Sequence, residues 1–534
     1  MNFVFNKKDG KIVSISDNNI DVNSEETFLK TTFSTNYNNL SIWRINASIN
    51  YPPNFLRVKF DSTNRPEILL YKNKAVYRIT EEDKKKYEEE KIKNKNKLLA
   101  KILPRNLHRI IKSDLIKFWV NSPYTNPYLK DSIKNFDYFI DNRIIPVSWW
   151  GPFTDAGGYA NMNREIVFRL HNHYILPKID ICPTAPQISA TARYYISKYS
   201  SFDLSKFKRH LKIWSFTPIP HPPNPGKNVF FTMMETESLH PEFARICNVY
   251  ADEIWVPSTH NATVFKEYGI KKPIFVMPLG VDELLYYNRD IAPNGIINDT
   301  KCFVDLLGKP VSKGINSFRF LSLFGWSYRK GTDILIKSFV KEFNDNDDVA
   351  LIIVSRHSGS PEQSHINVIK ADVDRYAKSI RRSNFPQIIL HPHVIPEQQM
   401  PDIYKMGQVF LHCSRGEGWN LPVIEAAACG LPVISCNNTG MSEYLTDDNA
   451  FLIKTNQKEI CNPEMHWITA YYHNQLFPKL GSEQIEQSQN HMKFCRNNYE
   501  KALLKGKELK KLVFEKYTWK HAVERIAQRI HQII

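Results

Sequence analysis

The chain lacks any apolar run approaching the ~20 residues that a membrane-crossing helix needs. Its opening, Met1-Asn2-Phe3-Val4-Phe5-Asn6-Lys7-Lys8-Asp9, holds no uninterrupted apolar stretch of secretory length. A soluble, cytoplasmic protein without a membrane span is therefore expected, with peripheral membrane contact left open. Paired cysteines are also missing. The eight cysteines, Cys182, Cys247, Cys302, Cys413, Cys429, Cys436, Cys461 and Cys495, form no C-x-x-C pair and no dense framework. Reduced core thiols are expected in place of zinc ligands or disulfides. Acidic residues are in deficit, 55 Asp and Glu against 71 Lys and Arg, for a net charge of +16. No nucleic-acid-binding motif accompanies that charge, so nucleic acid is not an expected partner. A basic surface suits the steering of an anionic substrate, and equally a Lys-rich solvated exterior.

The 534 residues, 42% of them hydrophobic, suffice for about three or four domains. Residues 1–80 alternate short apolar and polar runs. Asp9-Gly10, between Phe3-Val4-Phe5 and Ile12-Val13, reads as a hairpin turn in a small β-rich appendage. Residues 81–140 begin Lys/Glu-rich and turn amphipathic, which predicts a helical linker.

Near Arg143 the pattern changes. Ile144 to Ser148 read as a buried strand, followed by a loop ending in Gly157-Gly158 and a helix from Tyr159 to about Asn172, the opening of a doubly wound unit. Further strands are expected at Leu211 to Phe216, Val229 to Met233, Glu253 to Val256 and Ile274 to Met277, giving an α/β domain over 141–310. A second one, over 311–480, follows from strands at Phe318 to Phe324, Val349 to Val354, Gln387 to Leu390, Val409 to Leu411, Pro432 to Ser435 and Phe451 to Ile453. Between the first two lies a helix with Leu335, Ile336, Phe339, Val340 and Phe343 at helical spacing. Residues 481–534 read as helices.

The densest stretch is Gly416-Glu417-Gly418-Trp419-Asn420-Leu421-Pro422-Val423-Ile424-Glu425, which sets two carboxylates eight positions apart across a loop-to-helix junction. Pro422 suits a first helical turn, Gly430 its end. The N–H groups from Leu421 to Ile424 would then face an anion such as a diphosphate. Phe324-Gly325-Trp326-Ser327-Tyr328-Arg329-Lys330-Gly331 places two cations after the second domain's first strand. The acidic runs Asp345 to Asp348 and Asp372-Val373-Asp374 resemble metal-binding acids but read as solvated, so no metal is expected.

The Glu417 to Glu425 segment resembles the E-x7-E motif of the retaining, family-four glycosyltransferases. The resemblance covers about 141–534. It implies a GT-B fold: α/β, two facing Rossmann-like domains with a C-terminal crossing helix, here with the β-rich and helical amino-terminal appendage outside it. It implies that Glu417 holds sugar hydroxyls and Glu425 the nucleotide ribose. Lys330 matches the family's diphosphate-binding lysine. Trp326 stands where the family has an arginine, with Arg329 as its substitute. Gly416, Gly418, Asn420 and Leu421 fall on the donor side, and Gly157 and Gly158 on the loop that approaches phosphate and acceptor. Where many members have a histidine, this chain has Glu235-Thr236-Glu237, which makes Glu235 the candidate catalytic group of the first domain, with His240 close by. The implied activity is transfer of a sugar, a hexose in the leading reading, from a nucleotide-diphosphate donor with retention of configuration. It implies no cofactor beyond the nucleotide sugar, and leaves the acceptor, whether glycan, lipid or protein, open. A sugar-nucleotide epimerase of similar fold and a non-catalytic glycan- or nucleotide-binding protein stay open as alternatives.

Overall fold

The computed structural model describes residues 145–534 apart from 174, 183, 185–187, 203, 205–209, 222–225, 288–296, 298–299, 357–361, 381–382 and 462–469, and before residue 145 the backbone of seven strands. The expected linker over 81–140 lies outside the described residues. The chain divides into two units, 1–144 and 145–534. In the first, β1 (Asn2–Asn6), β2 (Ile12–Ser16) and β3 (Glu26–Lys30) form an antiparallel sheet of order β2-β1-β3. A second antiparallel sheet runs in sequence order through β4 (Ser41–Ile42), β5 (Leu56–Phe60), β6 (Pro66–Lys72) and β7 (Ala75–Arg78).

The second unit opens with a six-stranded parallel sheet. Its strands are β8 (Ile145–Gly151), β9 (Ile175–Ile181), β10 (Leu211–Trp214), β11 (Asn228–Phe231), β12 (Glu253–Val256) and β13 (Ile274–Val276), in the order β13-β12-β11-β10-β8-β9. The helices between them are α1 (Gly158–Val167), α2 (Ala190–Ser200), α3 (Pro241–Tyr250) and α4 (Thr259–Glu267), with the short α5 (Glu283–Tyr286) after the last strand. Three of these elements, β9, α2 and the short α5, are absent from the sequence reading. The strand ILPKIDI carries a proline and two charges, which hide it from a search for apolar runs. The predicted first helix stops at Val167, and Leu170–His173 form a separate 3-10 turn.

The second sheet has seven strands: β14 (Val304–Leu307), β15 (Phe318–Gly325), β16 (Val349–Arg356), β17 (Gln387–His391), β18 (Val409–His412), β19 (Val433–Cys436) and β20 (Phe451–Ile453), in the order β14-β17-β16-β15-β18-β19-β20. All neighbours are parallel except β14, an antiparallel edge on β17. This strand lies inside the 141–310 span read as the first domain, so the second sheet begins earlier than the sequence suggests. The near-continuous apolar β16, VALIIVSR, is what a strand covered on both faces requires. Its helices are α6 (Thr332–Glu342), α7 (Glu362–Lys378), α8 (Met400–Tyr404) and α9 (Leu421–Ala428).

After β20 a two-stranded excursion, β21 (Lys458–Ile460) and β22 (Leu476–Pro478), precedes α10 (Ser482–Asn497), α11 (Tyr499–Lys516) and α12 (Trp519–Ile533). The last helix crosses back onto the first half. Its apolar stripe of Trp519, Ala522, Val523, Ile526, Ala527 and Ile530 is buried, and it packs on α1 and the 3-10 turn after it. Arg529 grips Glu253 at 2.6 Å. A parallel bridge joins Val281 to Thr518, and Gly280 fits there because a Cβ would lie 2.2 Å from the Thr518 carbonyl carbon.

Ile526 is fully buried on that stripe. Ile526→Asp should therefore destabilise the 145–534 unit by about 3 kcal/mol or more. Gln528→Asp, on the exposed face, should stay within about 0.5 kcal/mol. Denaturant unfolding of both variants checks this.

Candidate functional site

Strands β15 and β18 are neighbours in the second sheet, so the loops leaving their carboxyl ends lie side by side, where open parallel sheets bind ligands. After β15 the chain makes a 3-10 turn, Tyr328–Lys330, and enters α6 through Gly331 at φ 67°. A Cβ there would come within 1.7 Å of the Cys413 carbonyl oxygen in the loop after β18. Glycine thus lets the two loops touch. Glu417, on the second loop, accepts from Lys330 Nζ at 2.6 and 2.7 Å and from Arg329 at 3.5 Å. Its backbone is fixed by Thr439 Oγ1, which accepts from the Glu417 N–H at 2.9 Å.

A third donor reaches Glu417 from below. His412 Nε2 lies 3.1 Å from Oε1, and since an ionised carboxylate only accepts, that nitrogen carries the hydrogen. His412 is fully buried between Phe324 and Phe410, and burial lowers its pKa, so the ring is neutral. Burial alone would raise the Glu417 carboxyl, but Lys330, Arg329 and the His412 hydrogen bond outweigh it and hold it well below the usual carboxylate range. Burial, together with the neighbouring Arg329 charge, lowers the Lys330 ammonium pKa against the opposing pull of Glu417 and Glu235.

This loop meets the first half of the unit directly. A Cβ on Gly416 would stand 1.9 Å from the Glu235 carbonyl oxygen, one on Gly418 would stand 2.4 Å from Met233 Sδ, and one on Gly440 would stand 2.1 Å from the Gly418 carbonyl oxygen. Gly416 and Gly418 serve close packing between the halves, and Gly440 lets its own loop lie against the Glu417-Gly418 backbone. Glu235 lies 3.8 Å from Arg329 and accepts from the Tyr472 hydroxyl at 2.6 Å. Arg329 also donates to the Gly416 carbonyl. Glu417, Lys330, Arg329 and Glu235 therefore form one charged cluster with both halves as its walls. Trp326 is buried, its indole donating to Asp372 at 2.9 Å, so Arg329 is the arginine that faces Glu417.

The residues around these loops are held by further contacts. Asn420, at φ 76°, caps α9 by accepting from the Val423 N–H at 3.3 Å. Because Pro422 has no N–H and Ile424 bonds back to the Asn420 carbonyl, the broad anion site expected from Leu421 to Ile424 contracts to the Leu421 N–H. Gly157 caps α1 with no side-chain bond, and a Cβ on Gly158 would meet nothing within 4 Å. Asp155 accepts from the Gly157 N–H at 2.6 Å. Asn163 is buried, bonded to Trp149, Pro152 and Ser215. His240 caps α3. Arg415 stacks on Tyr328 and pairs with Asp333 at 2.8 Å and Glu459 at 3.0 Å, so it braces the loops. Glu443 accepts from the Thr259 N–H and hydroxyl, both at 2.7 Å, a structural link between halves. The acidic runs are not merely solvated: Asp347 pairs with Arg496 at 2.5 Å, and Asp348 accepts from the Ser317 N–H at 2.9 Å.

Glu425 stands on the first helical turns of α9, accepting from the Tyr404 hydroxyl at 2.7 Å, and Tyr286 of α5 packs on Tyr404. Neither tyrosine was singled out from sequence. Burial pushes the Glu425 carboxyl up to about 7 against the hydrogen bonds of Tyr404 and Tyr286, with Glu397 adding repulsion. Glu165 belongs to the same neighbourhood. Burial raises its carboxyl well above the ordinary value; Arg169, 2.6 Å away, opposes this, while Glu397 and Asp282 reinforce it.

A carboxyl raised in the folded state costs nothing below its ordinary value and carries its full cost above about 7. Glu425→Gln keeps an oxygen for Tyr404 and removes the charge. It should stabilise the unit by on the order of 1–3 kcal/mol at pH 8 and leave it unchanged near pH 4.5. Paired urea titrations at the two pH values measure this.

Comparison with known proteins bears on the second half first. Residues 317–462 match the family model described as Glycosyl transferases group 1. O-antigen chain mannosyltransferase B of Escherichia coli is 36% identical over 53 residues, 10% of this chain and 14% of that one. A protein provisionally named glycosyltransferase 45, of Sulfolobus islandicus filamentous virus, is 24% identical over 243 residues, 44% of this chain and 56% of that one. The chain thus spans less than two thirds of the length of either relative. Among solved structures, the sucrose-phosphate synthase of Thermosynechococcus elongatus superposes with a TM-score of 0.51 at 14% identity, covering 73% of this chain and 99% of that one. The two facing Rossmann-like sheets closed by a returning helix are a GT-B fold, and residues 317–462 within it match the family model described as Glycosyl transferases group 1.

Proposed function

We propose that this protein transfers a sugar, a hexose in the reading favoured here, from a nucleotide-diphosphate donor to an acceptor hydroxyl with retention of anomeric configuration. The observation that carries the reading is the pairing of Lys330 and Arg329 with Glu417 at the carboxyl ends of β15 and β18. Without ligand the carboxylate compensates both cations. A diphosphate carries more negative charge and would take over Lys330 and Arg329, freeing Glu417 to accept from sugar hydroxyls. The chain's own cations then stabilise the leaving diphosphate, the usual largest contribution in such chemistry, and no further cofactor enters the reading. Glu425 holds the ribose hydroxyls, and Tyr404 aims it. Glu235 faces the reacting sugar from the first half, and the Gly157-Gly158 loop approaches phosphate and acceptor. Attack by the acceptor on the face that the diphosphate leaves gives retention, the departing phosphate taking the acceptor proton. A screen of nucleotide sugars with and without acceptors, scored by released nucleoside diphosphate and by the anomeric configuration of the product, tests the reading. Epimerisation of a donor without acceptor, or donor binding without turnover across the panel, overturns it.

Glu417→Gln keeps the shape and loses the charge that organises Lys330, Arg329 and the sugar. Turnover should fall by the equivalent of about 2–4 kcal/mol while the protein stays folded. Wild-type turnover in a folded Glu417→Gln variant removes the residue from the site.

Lys330→Ala should weaken binding of a nucleoside diphosphate far more than that of the bare nucleoside, by about 1.5–3 kcal/mol for one charge-assisted hydrogen bond. Calorimetry with both ligands separates a phosphate contact from a general loss of the fold.

A further inference from the structure

Tyr472 lies beyond the matched 317–462 region, on an excursion that leaves the second half after β20 and docks on the first. The docking is extensive. The Glu237 N–H donates to the Leu476 carbonyl at 2.8 Å, and the Leu476 N–H to Ser238 Oγ at 2.8 Å. Ser238 Oγ in turn donates to Gln475 at 2.8 Å, and Lys458 pairs with Glu237 at 2.8 Å. The Tyr471 hydroxyl donates to the Pro218 carbonyl at 3.1 Å. Tyr472 and Phe477 enter the same apolar cluster as Trp214, Phe230 and Phe243 beneath the first sheet. Both ends of the excursion are thus pinned to the loop of residues 235–238 that carries Glu235.

Within that frame the Tyr472 ring is 1% exposed and packed edge-on against Phe477 at 5.5 Å. Its hydroxyl donates to Glu235 Oε2 at 2.6 Å, leaving Oε1 on the side of Arg329, 3.8 Å away. A glutamate side chain has three rotatable bonds. Beside the buried Arg329 its carboxylate has an obvious competing place, a closer pair with that guanidinium that would occupy the diphosphate's own partner. The tyrosine hydroxyl holds it short of that.

We propose that Tyr472 is a positioning residue of the transfer site. Lent by the second half to the first, it fixes Glu235 at the wall of the cleft and keeps it from collapsing onto Arg329. The assignment rests on the glycosyl transfer proposed above. Glu235 is the group that faces substrate, and Tyr472 acts only through it. The acceptor-side wall is then built by segments from both halves, which ties the orientation of Glu235 to closure of the cleft.

The test uses the full chain and the donor that wild type accepts in the screen above. Tyr472→Phe keeps the ring and its packing and removes only the hydroxyl. It should lower kcat about 10- to 100-fold and raise donor KM by no more than about fivefold, the part due to Glu235 competing with the diphosphate for Arg329, at an unchanged thermal midpoint. Glu235→Gln should lower kcat comparably, and the double variant should fall no further than Glu235→Gln alone, because the hydroxyl acts only on that carboxylate. Tyr471→Phe, on the same excursion but away from Glu235, should keep wild-type kcat. Unchanged kcat in Tyr472→Phe, a loss carried by KM, a lowered midpoint that tracks the loss, or a double variant whose cost is the product of the singles each overturns the assignment while leaving glycosyl transfer intact. A wild-type protein that releases no diphosphate from any donor overturns the function and this assignment together.

Discussion

Glu417 accepts from Lys330, Arg329 and His412 in a site whose side chains are largely closed to solvent. The other features of the second unit make sense as conditions for that arrangement. Buried ions are tolerated only when each has a partner with good geometry, and removing one partner is far costlier than the pair's net worth. Here Arg329 and Lys330 are balanced by Glu417 from their own sheet and by Glu235 from the other. The balance is complete only with the two halves in contact. Electrostatics and packing thus favour the same closed arrangement, the second through Gly416 and Gly418, where side chains would collide with Glu235 and Met233.

A second ionic group braces the first without sharing its chemistry. Arg415 sits next to the site in sequence, yet its guanidinium points away to Asp333, Glu459 and the Tyr328 ring. It ties the loop after β18 to the start of α6 and to β21. Asn420 does comparable work on the opposite flank, in a left-handed backbone that turns the chain sharply into α9. Rigid elements on both sides of a reacting loop keep its geometry from drifting, which is worth more to catalysis than additional contacts to substrate.

Much of this was legible in the sequence where the signal is local. The apolar runs of β15, β16 and β18, the Pro422 start and Gly430 stop of α9, and the Glu417 to Glu425 spacing each need only a short window. What escaped needs distant partners or defies the apolar-run rule. The strand β9 is interrupted by Pro177, Lys178 and Asp180, and α7, EQSHINVIKADVDRYAK, mixes its apolar stripe with charges. Tyr472 lies 237 residues from Glu235, and Tyr404 reaches Glu425 from a separate helix of five residues. Neither pairing leaves a trace in spacing. The helical N–H site before α9 is narrower than expected because Asn420, placed on the donor side, caps the helix, and Pro422, which marks its start, has no N–H to offer.

The returning helix has a consequence for how the chain comes to its fold during synthesis. The first sheet is made early, but a side of its helical layer is completed only by α12, whose Arg529 closes on Glu253 across 276 residues. At ~5–20 residues per second of translation, that interval is on the order of tens of seconds. For that long the nascent first half presents the apolar surface meant for Trp519, Val523, Ile526 and Ile530 with nothing to cover it. A bound chaperone, or slow temporary cover by the chain itself, is the natural guard during the wait. The order of translation, reversed relative to the order of contacts, makes the earliest Rossmann-like half the last to be finished.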